Sequence, residues 1–311
     1  MTGARPAPVA GYIDCHSTNA RLLASGLDAI VPELVIYEGD PDGDELIRRL
    51  RSVAIALVSR AKIAAPVLEA CPGLKAIVFL GTGASDYIDL AAAERCGIEV
   101  LTVRHYGDRS IAEHAFALAL AACREVAPMD RALRAGAWTT MEGLELASLT
   151  LGIVGTGGVG SELVKMAAGF GMGVVAWNRS GPVPGLPCRF LPLEDVLTHA
   201  DVLSLHLALT PETRHFLGPD RLGLMRPGAI LVNTARGALV DEAALIEALE
   251  AGRLRHAALD VFDQEPLPSS HPLRGLANVT LTAHAAFKTT SASRRLFEGG
   301  LRLVAETLAR T

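Results

Sequence analysis

The sequence predicts an α/β protein made of two doubly wound parallel-sheet domains, and three observations carry that expectation. Short apolar runs alternate with helical patterns along the whole chain, the rhythm of parallel strands covered by helices on both faces. The length of 311 residues favours two domains over one. Eleven candidate strands are too many for one compact doubly wound sheet of this size.

The first five strands are "VAGYID" (9–14), "LVIYE" (34–38), "VAIALVS" (53–59), "AIVFLG" (76–81) and "EVLTV" (99–103). Helix patterns such as "DGDELIRRLR" and "DLAAAERCG" separate them. Six more follow: "LTLGIVG" (149–155), "GVVAW" (173–177), "VLSLH" (202–206), "AILVN" (229–233), "HAALDV" (256–261) and "VTLT" (279–282). The division falls near residue 102, giving a first domain over 1–101 and a second over 102–284. A long apolar helix, "IAEHAFALALAACREV", is expected to start at Ser110 as N-cap and to bridge the halves. The last helical pattern, within 285–311, is expected to return to the first domain. The Pro-rich stretch "SGPVPGLPCRFLP" (180–192) reads as a surface loop.

Half the residues are hydrophobic, a fifth are charged, and the net charge is −5 without any block of like charge. That profile argues against nucleic acid or an anionic membrane as partner. The five cysteines form no CxxC pair, as in a reduced, cytoplasmic protein. Asp14 and Asp28 interrupt the N-terminal region, so no signal peptide is expected. "AFALALAAC" (115–123) is too short to span a bilayer. The histidines show no HxxxH or HExxH spacing, so no metal is expected.

"LGIVGTGGVGSELVKMAAGFG" places Gly155, Gly157, Gly158, Val159 and Gly160 directly after a strand and directly before a helix. GxGxxG alone is a weak signal. In this setting the glycines divide the work. Gly155 makes the tight turn, Gly157 lets the backbone approach a pyrophosphate, and Gly160 lets helix and strand pack. The helix N-terminus then offers N–H groups and partial positive charge to phosphates. The second domain is therefore expected to be a Rossmann domain. Where an acid would hold a ribose 2′-hydroxyl, the next strand ends in Asn178-Arg179-Ser180. A cation and a hydroxyl suit a 2′-phosphate, which favours NADP(H). If Arg179 is merely solvated, Asn178 suits NAD(H).

Three more strand ends carry chemistry. "ILVNTARGALVDE" (230–242) leads from a buried strand to Arg236, "ALDVFDQEPLP" carries Asp260 and Glu265, and "VTLTAHAA" carries His284. The carboxyl ends of one parallel sheet share an edge, so cation, carboxylate and imidazole can meet. Arg can clamp a substrate carboxylate and polarise a carbonyl. His titrates near neutrality and can pass the hydroxyl proton. Glu can orient the imidazole and favour its charged form. The trio suits hydride transfer from a nicotinamide to a 2-keto acid. Singly, each has a bland alternative: a structural ion pair, a loop acid, a core histidine.

On these stretches, with "ADVLSLHLALTPETRHFLG" and "LMRPGAILVNTARGALVDEAALIEAL", the chain resembles the D-isomer-specific 2-hydroxyacid dehydrogenase family, in particular its glyoxylate and hydroxypyruvate reductases. The resemblance runs over nearly the whole length and implies a flavodoxin-like substrate domain ahead of the Rossmann domain. It implies D-stereochemistry, Arg236 as substrate anchor, His284 as acid/base and Glu265 as its partner. Asp260 matches the aspartate near the nicotinamide amide. Gly158 and Val159 match phosphate-loop backbone, and Ala208, Thr234 and Ala235 match cofactor-lining positions. "GTGASDYIDL" resembles the loop that holds the substrate carboxylate, implicating Thr82 and Gly83. A homodimer formed through the cofactor domain is expected, because the 110–126 helix is apolar on more than one face.

The chain departs from the family pattern in three places. The "GTGASDYID" loop is one residue longer. Ala283 stands before His284 where Pro is usual, with Ala285, Ala286 and Phe287 after it, and Phe287 would narrow the substrate pocket. "TVRHYGDRS" (102–110) brings Arg104, His105 and Arg109, which either line the substrate site or lie in solvent. Alternatives to the reductase are a non-enzymatic nucleotide-sensing partner, an enzyme of the 3-phosphoglycerate dehydrogenase type, and a hydrolase of the adenosylhomocysteine type. Retention of Arg236, Glu265 and His284 disfavours the sensor, the chain is short for the hydrolase, and Glu265 in place of Gln disfavours a formate dehydrogenase.

Overall fold

The computed structural model describes residues 10–310. Val9, at the head of the first expected strand, and the outer ends of the expected domains lie outside the described residues. The chain forms two compact units: residues up to Gly107 with those from Thr289 onward, and Asp108–Lys288.

In the first unit β1 (Ala10–Cys15), β2 (Val35–Glu38), β3 (Ile55–Val58), β4 (Ala76–Phe79) and β5 (Glu99–Thr102) form one parallel sheet in the order β2-β1-β3-β4-β5. This is the flavodoxin-like order. Helices α1 (Ser17–Leu22), α2 (Gly43–Arg51), α3 (Ala65–Glu69) and α4 (Leu90–Arg95) lie along the connections. In α2, Leu46 and Leu50 are buried one turn apart, while Asp44, Arg48 and Arg51 stay outside. Asp89 caps α4, its carboxylate accepting from the Ala92 amide at 2.9 Å. Val103 is buried in this unit's core with Tyr106 packed beside it. The chain therefore stays with the first unit to Gly107, past the expected boundary at 101.

The second unit holds α5 (Asp108–Cys123), α6 (Val126–Arg134), β6 (Thr150–Val154), α7 (Gly158–Gly169), β7 (Gly173–Trp177), β8 (Arg189–Phe190), α8 (Leu193–His199), β9 (Val202–Leu205), α9 (Pro219–Leu224), β10 (Ala229–Asn233), α10 (Glu242–Glu250), β11 (Leu254–Leu259) and β12 (Val279–Leu281). Its seven strands are parallel, in the order β12-β11-β10-β9-β6-β7-β8. That is the Rossmann order with one strand added at the far edge. The strand added to that order is β12; β8, at the opposite edge, lies inside the Pro-rich stretch expected to be loop, where Arg189 and Phe190 pair with Val175 and Ala176.

The helix expected from Ser110 begins already at Asp108, whose charge suits a helix N-terminus, and Ser110 is buried within it. The expected continuation to residue 126 is broken. Glu125 adopts φ 54° and α6 starts afresh at Val126. The Glu125 carboxylate binds Arg255 at 2.9 Å, which fixes the break. The many apolar faces of α5 are satisfied inside its own unit. Ala112, Ala115, Phe116, Ala119 and Ala122 share a core with Leu163, Val164 and Ala167 of α7 and with Ile230, Val232 and Ala258 of the sheet. Apolarity of that helix is thus no argument for a second subunit.

The last helix, α11 (Thr290–Leu308), is capped by Thr289, whose hydroxyl accepts from Ala292 at 3.1 Å. Leu296, Phe297, Leu301 and Val304 pack with Tyr12, Leu57 and Val78 in the first unit's core. Among the described residues no helix is long and apolar enough to cross a membrane.

Candidate active site

The strand order of the second unit reverses between β6 and β9, and open α/β sheets bind their ligands at such a reversal. The glycine loop joins β6 to α7 at that point. Gly155 stands at φ 98°, and a Cβ there would meet the His206 carbonyl at 2.7 Å. A Cβ at Gly160 would collide with the Gly155 carbonyl oxygen, so helix and turn approach as closely as backbone allows. A Cβ at Gly157 would meet nothing within 4 Å among the described residues, which leaves open space next to the N-terminus of α7. The buried hydroxyls of Thr156 and Thr234 find no hydrogen-bond partner among the described residues. An open glycine cradle at a helix N-terminus, with two buried hydroxyls unsatisfied, fits a dinucleotide phosphate group.

Further along the same edge, Asn178 directly follows β7. Its amide donates to the Ser180 hydroxyl at 2.9 Å and to the Gly181 carbonyl at 3.1 Å. Both donors are spent on the turn, and Ser180 keeps its own proton to give. Arg179 is exposed. The Glu212 carboxyl lies below its ordinary value, chiefly through the Thr210 hydroxyl and, to a smaller extent, through the charge of Arg179. Ala208 is exposed on the loop after β9, its carbonyl accepting from the Thr213 hydroxyl at 2.7 Å. Val159 is half-buried in the first turn of α7.

Why a guanidinium follows a buried strand is answered by Asn233. This fully buried residue ends β10, donates to the Arg236 carbonyl at 2.8 Å and accepts from the Ala235 amide at 3.0 Å. The chain is folded back so that the Arg236 side chain emerges half-exposed at the sheet edge, with Nη1 on the Ala235 carbonyl at 2.7 Å. Gly237 then passes against the next loop so closely that a Cβ would strike the backbone of Phe262 and Asp263. Only glycine permits this approach, and it brings the Arg236 segment beside the loop that carries Glu265.

Glu265 accepts from the Phe262 amide at 3.0 Å with one oxygen and meets His284 Nδ1 at 2.6 Å with the other. Burial opposes its charge. The His284 hydrogen bond, the Phe262 amide and the charges of His284 and Arg236 outweigh that, and the carboxyl is held below its ordinary value. Glu265 is therefore an ionised acceptor near neutrality. His284 stands at φ 47°, donating its amide to the Asp260 carbonyl at 2.7 Å. The Phe287 ring lies edge-on to the imidazole, 6.3 Å between centroids. The structure thus gathers Arg236, Glu265 and His284 on three consecutive strand ends.

Asp260 is fully buried and works inward. Its oxygens accept from the Ala285 and Ala286 amides, both at 2.9 Å, and from the Thr282 hydroxyl at 2.5 Å. His114 Nε2 lies 3.5 Å away. Burial opposes its charge too, yet these partners hold the carboxyl below its ordinary value. The resemblance assigns this residue to the neighbourhood of the nicotinamide amide; here its carboxylate braces the turn that carries His284. The same bonds keep Ala285 and Ala286 with the second unit, beyond the expected boundary at 284.

Thr82 and Gly83 follow β4 in the first unit. Thr82 is exposed, and the Gly83 carbonyl accepts from Asp86 at 3.2 Å in the turn Ala84–Asp86. Arg104 and His105 are exposed, whereas Arg109 is committed to ion pairs with Glu113 at 2.9 Å and Glu162 at 3.2 Å. Sequence reasoning passed over Asn233, Thr156, Thr282, His114 and His206. Of these, Asn233 carried a signal: a short amide at the end of a buried strand, two residues before a turn. His206, packed after β9, is pushed down to about 4 by burial and is neutral at physiological pH.

Residues 116–286 match the family model of the D-isomer specific 2-hydroxyacid dehydrogenase, NAD binding domain. A hydroxypyruvate reductase of Thermotoga maritima is 36% identical over 277 residues, 88% of this chain and 89% of its own length. A glyoxylate reductase of Aeropyrum pernix is 38% identical over 272 residues, 84% of this chain and 81% of its own. An acyclic imino acid reductase solved with NADPH and D-Arg superposes with a TM-score of 0.87 at 29% identity, covering 96% of this chain and 97% of that one. Fold and site define an oxidoreductase that passes a hydride between a nicotinamide dinucleotide and a small 2-keto or 2-hydroxy acid. The chain belongs to the D-isomer-specific 2-hydroxyacid dehydrogenase family.

Proposed function

We propose that this enzyme reduces small 2-keto acids of the glyoxylate and hydroxypyruvate kind, with NADPH preferred over NADH. The observation that carries the reading is the pair His284 Nδ1 and Glu265 Oε2 at 2.6 Å, standing beside Arg236 at the edge that also holds the glycine cradle. A nicotinamide held there would supply the hydride. Arg236 clamps the substrate carboxylate and polarises the carbonyl with its planar fork. His284, oriented through Nδ1 by Glu265, presents Nε2 and gives the proton to the forming alkoxide. Thr82 and Gly83 supply substrate contacts through the backbone of their loop. Gly155, Gly157, Gly158, Val159 and Gly160 hold the pyrophosphate, Ala208, Thr234 and Ala235 line the cofactor, and Arg179 with Ser180 takes the 2′-phosphate. Phe287 beside the imidazole favours substrates with small side chains.

The protein is further read as a cytoplasmic homodimer. Its cysteines are all free thiols in the structure, which supports a reducing compartment. Support for a second copy comes from Val126 and Leu133 on α6, Trp138 and Met141 after it, and Phe170 at the end of α7, all exposed large apolar residues of the second unit.

A panel of 2-keto acids of increasing side-chain size, assayed with NADPH and with NADH, tests the reading. Glyoxylate and hydroxypyruvate should be turned over best, and with NADPH. Efficient turnover of bulky 2-keto acids alone, or none at all, refutes it.

A further inference from the structure

His114, Thr282 and Asp260 form a line of hydrogen bonds from α5 to the turn that carries His284, and the reading above uses neither His114 nor Thr282. We propose that His114 and Thr282 are positioning residues that hold His284 in place through Asp260. The inference rests on the reductase reading for the role of His284, but not for its geometry.

The proton directions along this line follow from the partners. Asp260 accepts two backbone amides, one on each oxygen, and with its other partners these hold the carboxyl below its ordinary value, so near neutrality the group is a carboxylate. A carboxylate has no proton to give. The hydroxyl of Thr282, 2.5 Å from Oδ1, must therefore donate to it. With its proton spent, the Thr282 oxygen is an acceptor toward His114 Nε2 at 3.0 Å, and that nitrogen must carry a hydrogen. One orientation is fixed at each step: the His114 ring, the Thr282 rotamer, the Asp260 carboxylate.

The fixed carboxylate matters because of what it grips. Ala285 and Ala286 hang from its two oxygens, and the amide of His284 hangs from its main-chain carbonyl at 2.7 Å. His284 itself occupies the left-handed region at φ 47°, which a residue with a Cβ adopts only under constraint. Releasing Asp260 releases that constraint. The imidazole then drifts from its 2.6 Å contact with Glu265, and small misplacements of a proton donor are costly to catalysis. His114 is about a quarter exposed, so its ring is not simply core filling.

The test uses the full-length protein. Thr282→Val removes the hydroxyl and keeps the shape, and Thr282→Ser restores the hydroxyl. His114→Phe removes the donor, and His114→Gln returns one. Each variant is read by kcat and KM for glyoxylate, by NADPH affinity, and by NMR of the His284 imidazole, assigned with His284→Gln. Thr282→Val and His114→Phe should lower kcat by about tenfold or more with NADPH affinity unchanged. They should also move the His284 imidazole signals, and Thr282→Ser and His114→Gln should recover most of both. Parent-like kcat and imidazole signals in both disruptive variants overturn the proposal. So does a loss of thermal stability accompanied by unmoved imidazole signals. If Thr282→Val does not fold, the partly exposed His114 variants decide by the same readouts. If the unmutated protein reduces no 2-keto acid, the reductase reading falls, and moved imidazole signals still uphold the positioning role.

Discussion

The backbone of Arg236 is fixed through Asn233, and its Nη1 donates to the Ala235 carbonyl. Its fork is thereby pre-aimed, and a flexible ammonium cannot replace it. Arg236→Ala should lower kcat/KM several-hundredfold, since each lost charged hydrogen bond costs about 1.5–3 kcal/mol, and Arg236→Lys should restore little. Steady-state kinetics on glyoxylate would expose a mistaken assignment as near-parental kcat/KM. His284→Ala should reduce kcat by about 10²–10⁴ with NADPH affinity intact, and Glu265→Gln by less. Both effects separate in a titration of cofactor fluorescence run beside the rate assay. Cofactor choice belongs to this scale as well. If Arg179 and the Ser180 hydroxyl take the 2′-phosphate as proposed, NADPH should exceed NADH by about tenfold in kcat/KM, some 1.4 kcal/mol. Asn178→Asp combined with Arg179→Ala should invert the order. Glu212 draws on the charge of Arg179, so Glu212→Gln should widen the NADPH preference; equal efficiency of the two cofactors in the parent contradicts the reading of this turn.

At the scale of elements, what was legible and what was not divides along physical lines. Strands such as Ala229–Asn233 and Gly173–Trp177 were readable to the residue, because a strand buried on both faces is a continuous apolar run with a turn behind it. The two-residue β8 was hidden, since its pairing with Val175 and Ala176 is decided by the neighbouring strand and not by its own composition. The break between α5 and α6 was equally silent: a left-handed glutamate looks like any helical glutamate, and the Arg255 that fixes it lies 130 residues away. In the site, the trio could be read because each residue follows one of three recognisable strands, whose carboxyl ends share an edge. His114 and Thr282 could not, because their contact spans 168 residues and leaves no periodic trace. The Asp260 turn yields a stability prediction. Its folded carboxyl titrates below the ordinary aspartate value, so its contribution is full above that ordinary value and fades as pH falls through the folded one. Asp260→Asn should cost about 1.5–3 kcal/mol near neutral pH, and the gap to the parent should shrink on acidification. Urea unfolding at several pH values checks this; a gap that stays constant down to strong acid removes the carboxylate from the account.

At the scale of the whole molecule, the apolar side chains of α6 and the segment after it set the expected assembly. Trp138 is 87% exposed in the single chain, an unusual position for an indole. Trp138→Asp with Leu133→Asp should convert a dimer to a monomer in light scattering at micromolar concentration, and a parent that is already monomeric rules the dimer out. The chain's route through its two units has a different consequence. The sheet of the first unit is encoded ahead of residue 108, yet its core is closed by Leu296, Phe297, Leu301 and Val304 of α11. On the ribosome, the first five strands must therefore wait with an uncovered apolar face until α11 has emerged. The second unit, continuous from Asp108 to Lys288, has everything it needs earlier. Of the two units, the one whose strands are encoded earlier is thus completed later, and a nascent chain stalled before α11 should need a chaperone over the five-stranded unit rather than over the nucleotide-binding one.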